Sequence, residues 1–114
     1  MHEIRYSPEF NKDYVKLRER ADRGEGEAKY LIELISKATA KLAENTEAGK
    51  KIPHRLWPKE YAQKYDVKSL WKLNLDSNWR LIYTITGTQA QLFLIYLEYM
   101  KHKEYDRKFH YKTS

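Results

Sequence analysis

The stretch Trp71-Lys72-Leu73-Asn74-Leu75-Asp76-Ser77-Asn78-Trp79-Arg80-Leu81-Ile82-Tyr83-Thr84-Ile85 largely alternates apolar and polar side chains on either side of a short polar break. A period of two belongs to β-strands, because successive side chains leave opposite faces of the pleat. The break Asp76-Ser77-Asn78 is predicted to be a three-residue hairpin loop, with Asn78 taking the left-handed conformation. Pairing then sets Leu75 opposite Trp79, Leu73 opposite Leu81 and Trp71 opposite Tyr83, an entirely apolar face. Lys72, Asn74 and Arg80 gather on the other side. A slip of one residue would bury those charges, so the register is strongly specified.

Downstream, Thr86-Gly87-Thr88 reads as the next turn and Leu92 to Met100 as a further, central strand, with Tyr96 and Glu98 on its more open face. His102 to Phe109 reads as a short basic helix or turn.

Upstream, His2–Tyr6 is extended, and Ser7-Pro8-Glu9 starts a helix with Ser as N-cap and Pro at the first helical position. Phe10, Tyr14, Leu17 and Ala21 recur as one apolar stripe until Gly24 and Gly26 break the helix. Leu31, Leu34, Ile35, Ala38 and Leu42 form the face of a second helix that is predicted to end near Ala48-Gly49. Lys50 to Asp66 is a longer connection folded onto the domain, with Pro53, Pro58 and a short helical turn around Lys59–Lys64. The expected fold is α+β: an N-terminal strand, an antiparallel helical hairpin packed on a curved antiparallel sheet, and a short C-terminal helix.

A chain of 114 residues, 41% of them hydrophobic, accommodates one domain with one core, expected to span 1–114. The absence of cysteine removes disulfides, thiolate catalysis and sulfur-ligated zinc. No apolar run approaches a membrane span, and the first residues lack a signal-peptide core, so a cytoplasmic location with no membrane partner is expected. Charge is divided unevenly. Residues 1–50 carry ten Lys/Arg and ten Asp/Glu, whereas 51–114 carry twelve against six, so the net +6 lies in the second half. Such a field captures polyanions, and the Tyr and Trp residues of the same half can stack on unpaired bases. The alternative is a basic surface that serves only solubility.

The order of elements, Ser7-Pro8-Glu9-Phe10, Trp79-Arg80-Leu81-Ile82-Tyr83 and the closing Lys101-His102-Lys103-Glu104-Tyr105-Asp106-Arg107 together resemble RelE/ParE toxins, the toxin halves of type II toxin–antitoxin pairs. The Arg-Leu-Ile-Tyr strand is similar to the one bearing a catalytic arginine in RelE-like proteins, and the closing segment is similar to the ending of HigB-like and YafQ-like members. In the RelE and HigB branches the resemblance implies ribosome-dependent cleavage of mRNA. In the ParE branch it implies poisoning of DNA gyrase without nuclease activity. A third reading is an RNA-binding relative that has lost activity. A cognate antitoxin, the ribosome and mRNA are the implied partners.

Metal-independent RNA cleavage needs a base for the 2′-hydroxyl, cations for the pentavalent phosphoryl and an acid for the 5′-oxygen. Carboxylates at metal-ligand spacing are not evident, so neither metal nor other cofactor is expected. Arg80 is the candidate transition-state cation, since a guanidinium holds two phosphate oxygens at once; its alternative is a salt bridge to Glu98 across the sheet. Lys72 shares its face and matches a RelE lysine, its alternative being a solvated strand lysine. His102 matches the family's terminal histidine and is the candidate acid or base, since imidazole is the side chain suited to proton transfer near neutral pH; its alternative is a cap or surface residue. Tyr105 is a candidate for stacking on a base or orienting the phosphate, or else packs on the sheet. Lys101, Lys103, Arg107 and Lys108 form a basic group for RNA phosphates, or a solvated face.

Three departures stand out. Asn74 occupies the place of a second RelE lysine, the Lys50–Asp66 loop is longer than in compact members, and His110 to Ser114 extend the terminus. His2, His54, Trp57, Tyr61 and Tyr65 show no ligand-like spacing and read as structural.

Overall fold

Ser7 accepts a hydrogen bond from the Phe10 amide at 3.0 Å through its hydroxyl, and Pro8 follows as the first helical residue. This cap is worth about 1 kcal/mol and fixes where strand β1 (His2–Tyr6) gives way to helix α1 (Pro8–Asp22). The computed structural model describes residues 2–109, with His2 described through its backbone only; the extension from His110 to Ser114 lies outside the described residues. Gly24, at φ +92°, makes the turn after α1, and Gly26 is already the first residue of α2 (Gly26–Glu44).

Helix α2 stops at Glu44 rather than near Gly49, because the chain must turn to reach the sheet. The Tyr83 hydroxyl donates to the Thr46 carbonyl at 2.9 Å and accepts from the Gly49 amide at 3.2 Å. Two exposed lysines then form β2 (Lys50–Lys51), an edge strand that no apolar pattern announced. A 3-10 turn (His54–Leu56) and helix α3 (Lys59–Tyr65) follow.

The remaining elements are β3 (Trp71–Asn74), β4 (Trp79–Gly87), β5 (Leu92–Lys101) and α4 (His102–Lys108). They complete a five-stranded sheet of order β1-β5-β4-β3-β2, antiparallel except that β1 runs parallel to β5. The hairpin register is as the alternation requires: Trp71 opposite Tyr83, Leu73 opposite Leu81. Its loop closes differently from expectation. Asn78 is not left-handed; instead Asp76 Oδ1 accepts from the amides of Asn78 and Trp79 at 2.8 and 2.7 Å. The next turn lies at Thr88–Gln91, one step beyond Thr86-Gly87-Thr88.

Both faces of the sheet are covered. Phe10, Leu17, Leu31, Ile35 and Leu42 from the helical hairpin bury Leu73, Leu81, Tyr83, Leu94 and Tyr96. On the other face α3 and α4 cover Ile82, Leu97 and Met100 with Tyr61, Tyr105 and Phe109. The two successive residues Ile82 and Tyr83 are therefore both fully buried.

A register shift separates the two residues expected to share β5's open face. Tyr83 pairs with Tyr96 but Ile82 pairs with Glu98, which leaves Leu97 as the extra residue of a β-bulge. Tyr96 is buried under the helical hairpin, where its hydroxyl meets Thr39 Oγ1 at 2.8 Å. Burial pushes that phenol up to about 12. Glu98 points to the opposite face.

Candidate functional site

The hairpin face turned away from α1 and α2 carries Lys72 and Arg80, and α4 leans against its end. The His102 amide donates to the Asn78 carbonyl at 2.7 Å, so α4 begins at the tip of the β3–β4 hairpin. Lys101 and Trp79 are cross-strand partners there. His102 and the Arg80 strand thus meet at one end of the sheet.

Arg80 is held from its own loop. Its Nη1 donates to the carbonyls of Asp76 at 3.0 Å and Trp79 at 3.2 Å. Among the described residues it makes no salt bridge, and the alternative partner Glu98 is engaged elsewhere. Two carbonyls orient the guanidinium, and the nearby Asp76 carboxylate feels its charge without forming a salt bridge to it.

Lys72 is half-buried, with Nζ at 4.9 Å from the centre of the Tyr105 ring. Burial lowers its pKa from the ordinary lysine value; the positive charges of Arg80 and Lys50 lower it further, and Asp106 opposes them. An ammonium with a lowered pKa releases its proton more readily, as a general acid requires. Asp106 also approaches His102, its Oδ2 at 3.8 Å from the imidazole Nδ1. Lys72, Arg80, Asp106 and His102 therefore form one electrostatically connected group. Asp106 and Lys50 were not singled out in the sequence, although His102 and Asp106 stand at the i, i+4 spacing that brings side chains together on a helix.

Tyr105 belongs to the core. Its ring is buried and stacks on Phe109 at 4.7 Å, so it is not presented to a base; it supports Lys72 from below. The basic group divides as well. Lys101, Lys103 and Arg107 are exposed, whereas Lys108 Nζ lies 3.3 Å from Glu98 and 3.6 Å from Glu104. Lys108 is a structural ion-pair residue.

Glu98 is the hub of that second cluster. Tyr61 and Tyr65 donate to its two carboxylate oxygens at 2.7 and 2.8 Å, and Lys64 lies at 3.6 Å. Burial pushes the carboxylate pKa up, but the two phenol hydrogen bonds and Lys108 outweigh it and leave the group below its usual range. Through Glu98, Tyr61 and Tyr65 of α3 and Lys108 of α4 are tied to the same residue of β5. No group of three or more metal-ligating side chains occurs among the described residues, nor is any helix there long and apolar enough to cross a membrane.

A helical hairpin on a mostly antiparallel sheet, closed by a short basic helix beside a strand-borne arginine, is the architecture of the RelE/ParE toxins. Residues 4–96 match the family described as ParE toxin of type II toxin–antitoxin system, parDE, and the chain belongs to this toxin family. Membership implies a cognate antitoxin as partner. The fold is similar to that of a YoeB/ParE toxin from Agrobacterium tumefaciens, with a TM-score of 0.56 at 17% identity over 88% of this chain and 98% of that one. No curated protein matches the chain.

Proposed function

We propose that this toxin is a ribosome-dependent endoribonuclease that cuts mRNA without a metal and so stops translation. The observation that carries the reading is Arg80, oriented by two carbonyls and in no salt bridge among the described residues, on the same face as a Lys72 whose proton is loosened by burial. Asp106 links His102 to this group, its Oδ2 lying 3.8 Å from the imidazole and its charge acting on Lys72.

In the proposed reaction the imidazole of His102 accepts the 2′-hydroxyl proton while the 2′-oxygen attacks phosphorus. Arg80 holds the non-bridging oxygens, whose charge grows in the pentavalent state. The bond to the 5′-oxygen breaks, the Lys72 ammonium supplies its proton, and a 2′,3′-cyclic phosphate and a free 5′-hydroxyl remain. Exposed Lys101, Lys103 and Arg107 supply sequence-independent attraction to rRNA or mRNA phosphates. The reaction would take place where translation does, in the cytoplasm.

A second reading, a gyrase poison without nuclease activity, is favoured by the match to the ParE family. Induced expression in the absence of antitoxin separates the two. Fragmented mRNA with intact chromosomal DNA supports the nuclease, and DNA damage with intact mRNA supports the poison. Unaffected growth would favour an inactive relative.

A further inference from the structure

Outside the Lys72–Arg80–His102 group lies a cleft of about 460 Å³ against α4, whose basic rim the proposed reaction uses only for attraction to phosphates. Its floor includes Trp79 and Tyr99, whose ring centres lie 6.0 Å apart at 52°, and its rim carries Lys101, Lys103, Arg107 and Glu104. The volume falls within the range of small-molecule sites, roughly 300–1,000 Å³. Both rings have one side against the core under the helical hairpin, so they are fixed in place.

The charges are what set this cleft apart from a solvated basic face. Glu104 is matched by Lys108 at 3.6 Å. Lys103 and Arg107 have no carboxylate partner among the described residues, and Lys101 Nζ sits 5.6 Å from the Trp79 ring centre. Lys103, Arg107 and Lys101, the last lying over the Trp79 ring, surround two aromatic rings set at 52° to each other and together present what a nucleotide requires: apolar ring surface for the base, with positive charge close by for its phosphate. An acidic peptide would use the cations but has no general need for the rings.

We infer that this cleft binds one nucleotide of a single-stranded RNA, the base against Trp79 and Tyr99 and the phosphate among Lys101, Lys103 and Arg107. This rests on the reading of the toxin as RNA-directed, and adds to it a subsite that grips the strand at the end of the sheet where α4 begins. Base stacking tolerates any sequence, because every base has a π-face.

The test is fluorescence anisotropy with a labelled six-nucleotide single-stranded RNA, no ribosome present, and adenosine monophosphate as competitor. Lys103→Glu with Arg107→Glu is compared with Lys37→Glu plus Lys41→Glu on α2, which changes net charge equally but far from the cleft. The cleft pair is expected to weaken binding at least tenfold more than the control pair, and Trp79→Leu to weaken it about tenfold. Both reversed residues are exposed, so that variant folds even if the Trp79 one does not. Equal losses from the two charge-reversed pairs, or no saturable binding by the unaltered protein, would overturn the assignment. Competition by adenosine monophosphate at the expense of the labelled strand supports it; a free nucleotide that binds while the strand does not would overturn the role in RNA. An unaltered protein that binds the strand yet cuts no message on the ribosome would refute the nuclease and leave the cleft standing.

Discussion

Lys72 and Tyr105 are joined by a cation–π contact, the ammonium 4.9 Å from the ring centre. It ties the charged face of the hairpin to the buried side of α4, and such contacts contribute about 1 kcal/mol when partly shielded from water. Because Tyr105 is buried, its contribution to any chemistry runs through Lys72. Tyr105→Phe, which keeps the ring, is expected to retain RNA cleavage and to stay within about 1 kcal/mol of the original stability. Tyr105→Ala is expected to cost about 3 kcal/mol through the cavity it leaves. Chemical denaturation and a cleavage assay on the same samples check both. Loss of cleavage in a stably folded Tyr105→Phe protein would show that the hydroxyl itself meets the RNA.

Arg80→Lys keeps the charge and discards the fork. If the guanidinium holds two phosphoryl oxygens while its other amine bonds to the hairpin carbonyls, a lysine cannot replace it. Cleavage is expected to fall by a factor on the order of 100 or more, with the thermal midpoint nearly unchanged. Near-normal cleavage by Arg80→Lys would reduce the residue to a simple positive charge.

Glu98 gives a pH dependence whose sign follows from its environment. The Tyr61 and Tyr65 hydrogen bonds and Lys108 outweigh burial and hold its folded pKa below the unfolded value. A depressed carboxylate contributes stability that is complete above the unfolded pKa and disappears as pH falls through the folded one. The pairing of α3 with α4 is therefore expected to weaken on acidification below the ordinary glutamate range. Glu98→Ala, which leaves two phenols and Lys108 without their acceptor, is expected to cost on the order of 2 kcal/mol at neutral pH. Urea titrations at several pH values, on the unaltered protein and on Glu98→Gln, should give a smaller acid-side loss in the variant.

Gly49 tests the packing behind Lys72. A Cβ there would lie 2.3 Å from the Lys72 carbonyl and 2.8 Å from the Tyr83 hydroxyl, too close for either to remain. Gly49→Ala is expected to destabilise the protein by about 2 kcal/mol, as overpacking does, and to lower cleavage further by displacing β3. Unchanged stability would mean that the β2 edge moves freely.

The parts of this fold that could be read in the sequence are those with a strong period. The β3–β4 register followed from alternation alone, and the Ser7 cap and the apolar stripes of α1 and α2 from residue type and spacing. What escaped reading was set by tertiary contacts. Two exposed lysines carry no strand pattern, yet β2 forms because its backbone pairs with β3. One extra residue, Leu97, turned Glu98 away from Tyr96, and no residue type marks such a bulge. Tyr105 is ambiguous in the sequence because a single aromatic on a charged segment does not reveal its face until the helix docks. The Lys72–Arg80 pair could be read because both lie on the hairpin, whereas Asp106 and the Trp79–Tyr99 cleft depend on where α4 lands.

Lys72, Arg80 and His102 are proposed to act together on one phosphodiester. Primer extension on a translated message, with purified ribosomes and the toxin or its Arg80→Ala, Lys72→Ala and His102→Ala variants, tests it most directly. The expected result is discrete ribosome-dependent cuts by the unaltered toxin and a large loss of them in each variant, with folding intact by circular dichroism. Cuts that persist when Arg80 and His102 are removed together would contradict it.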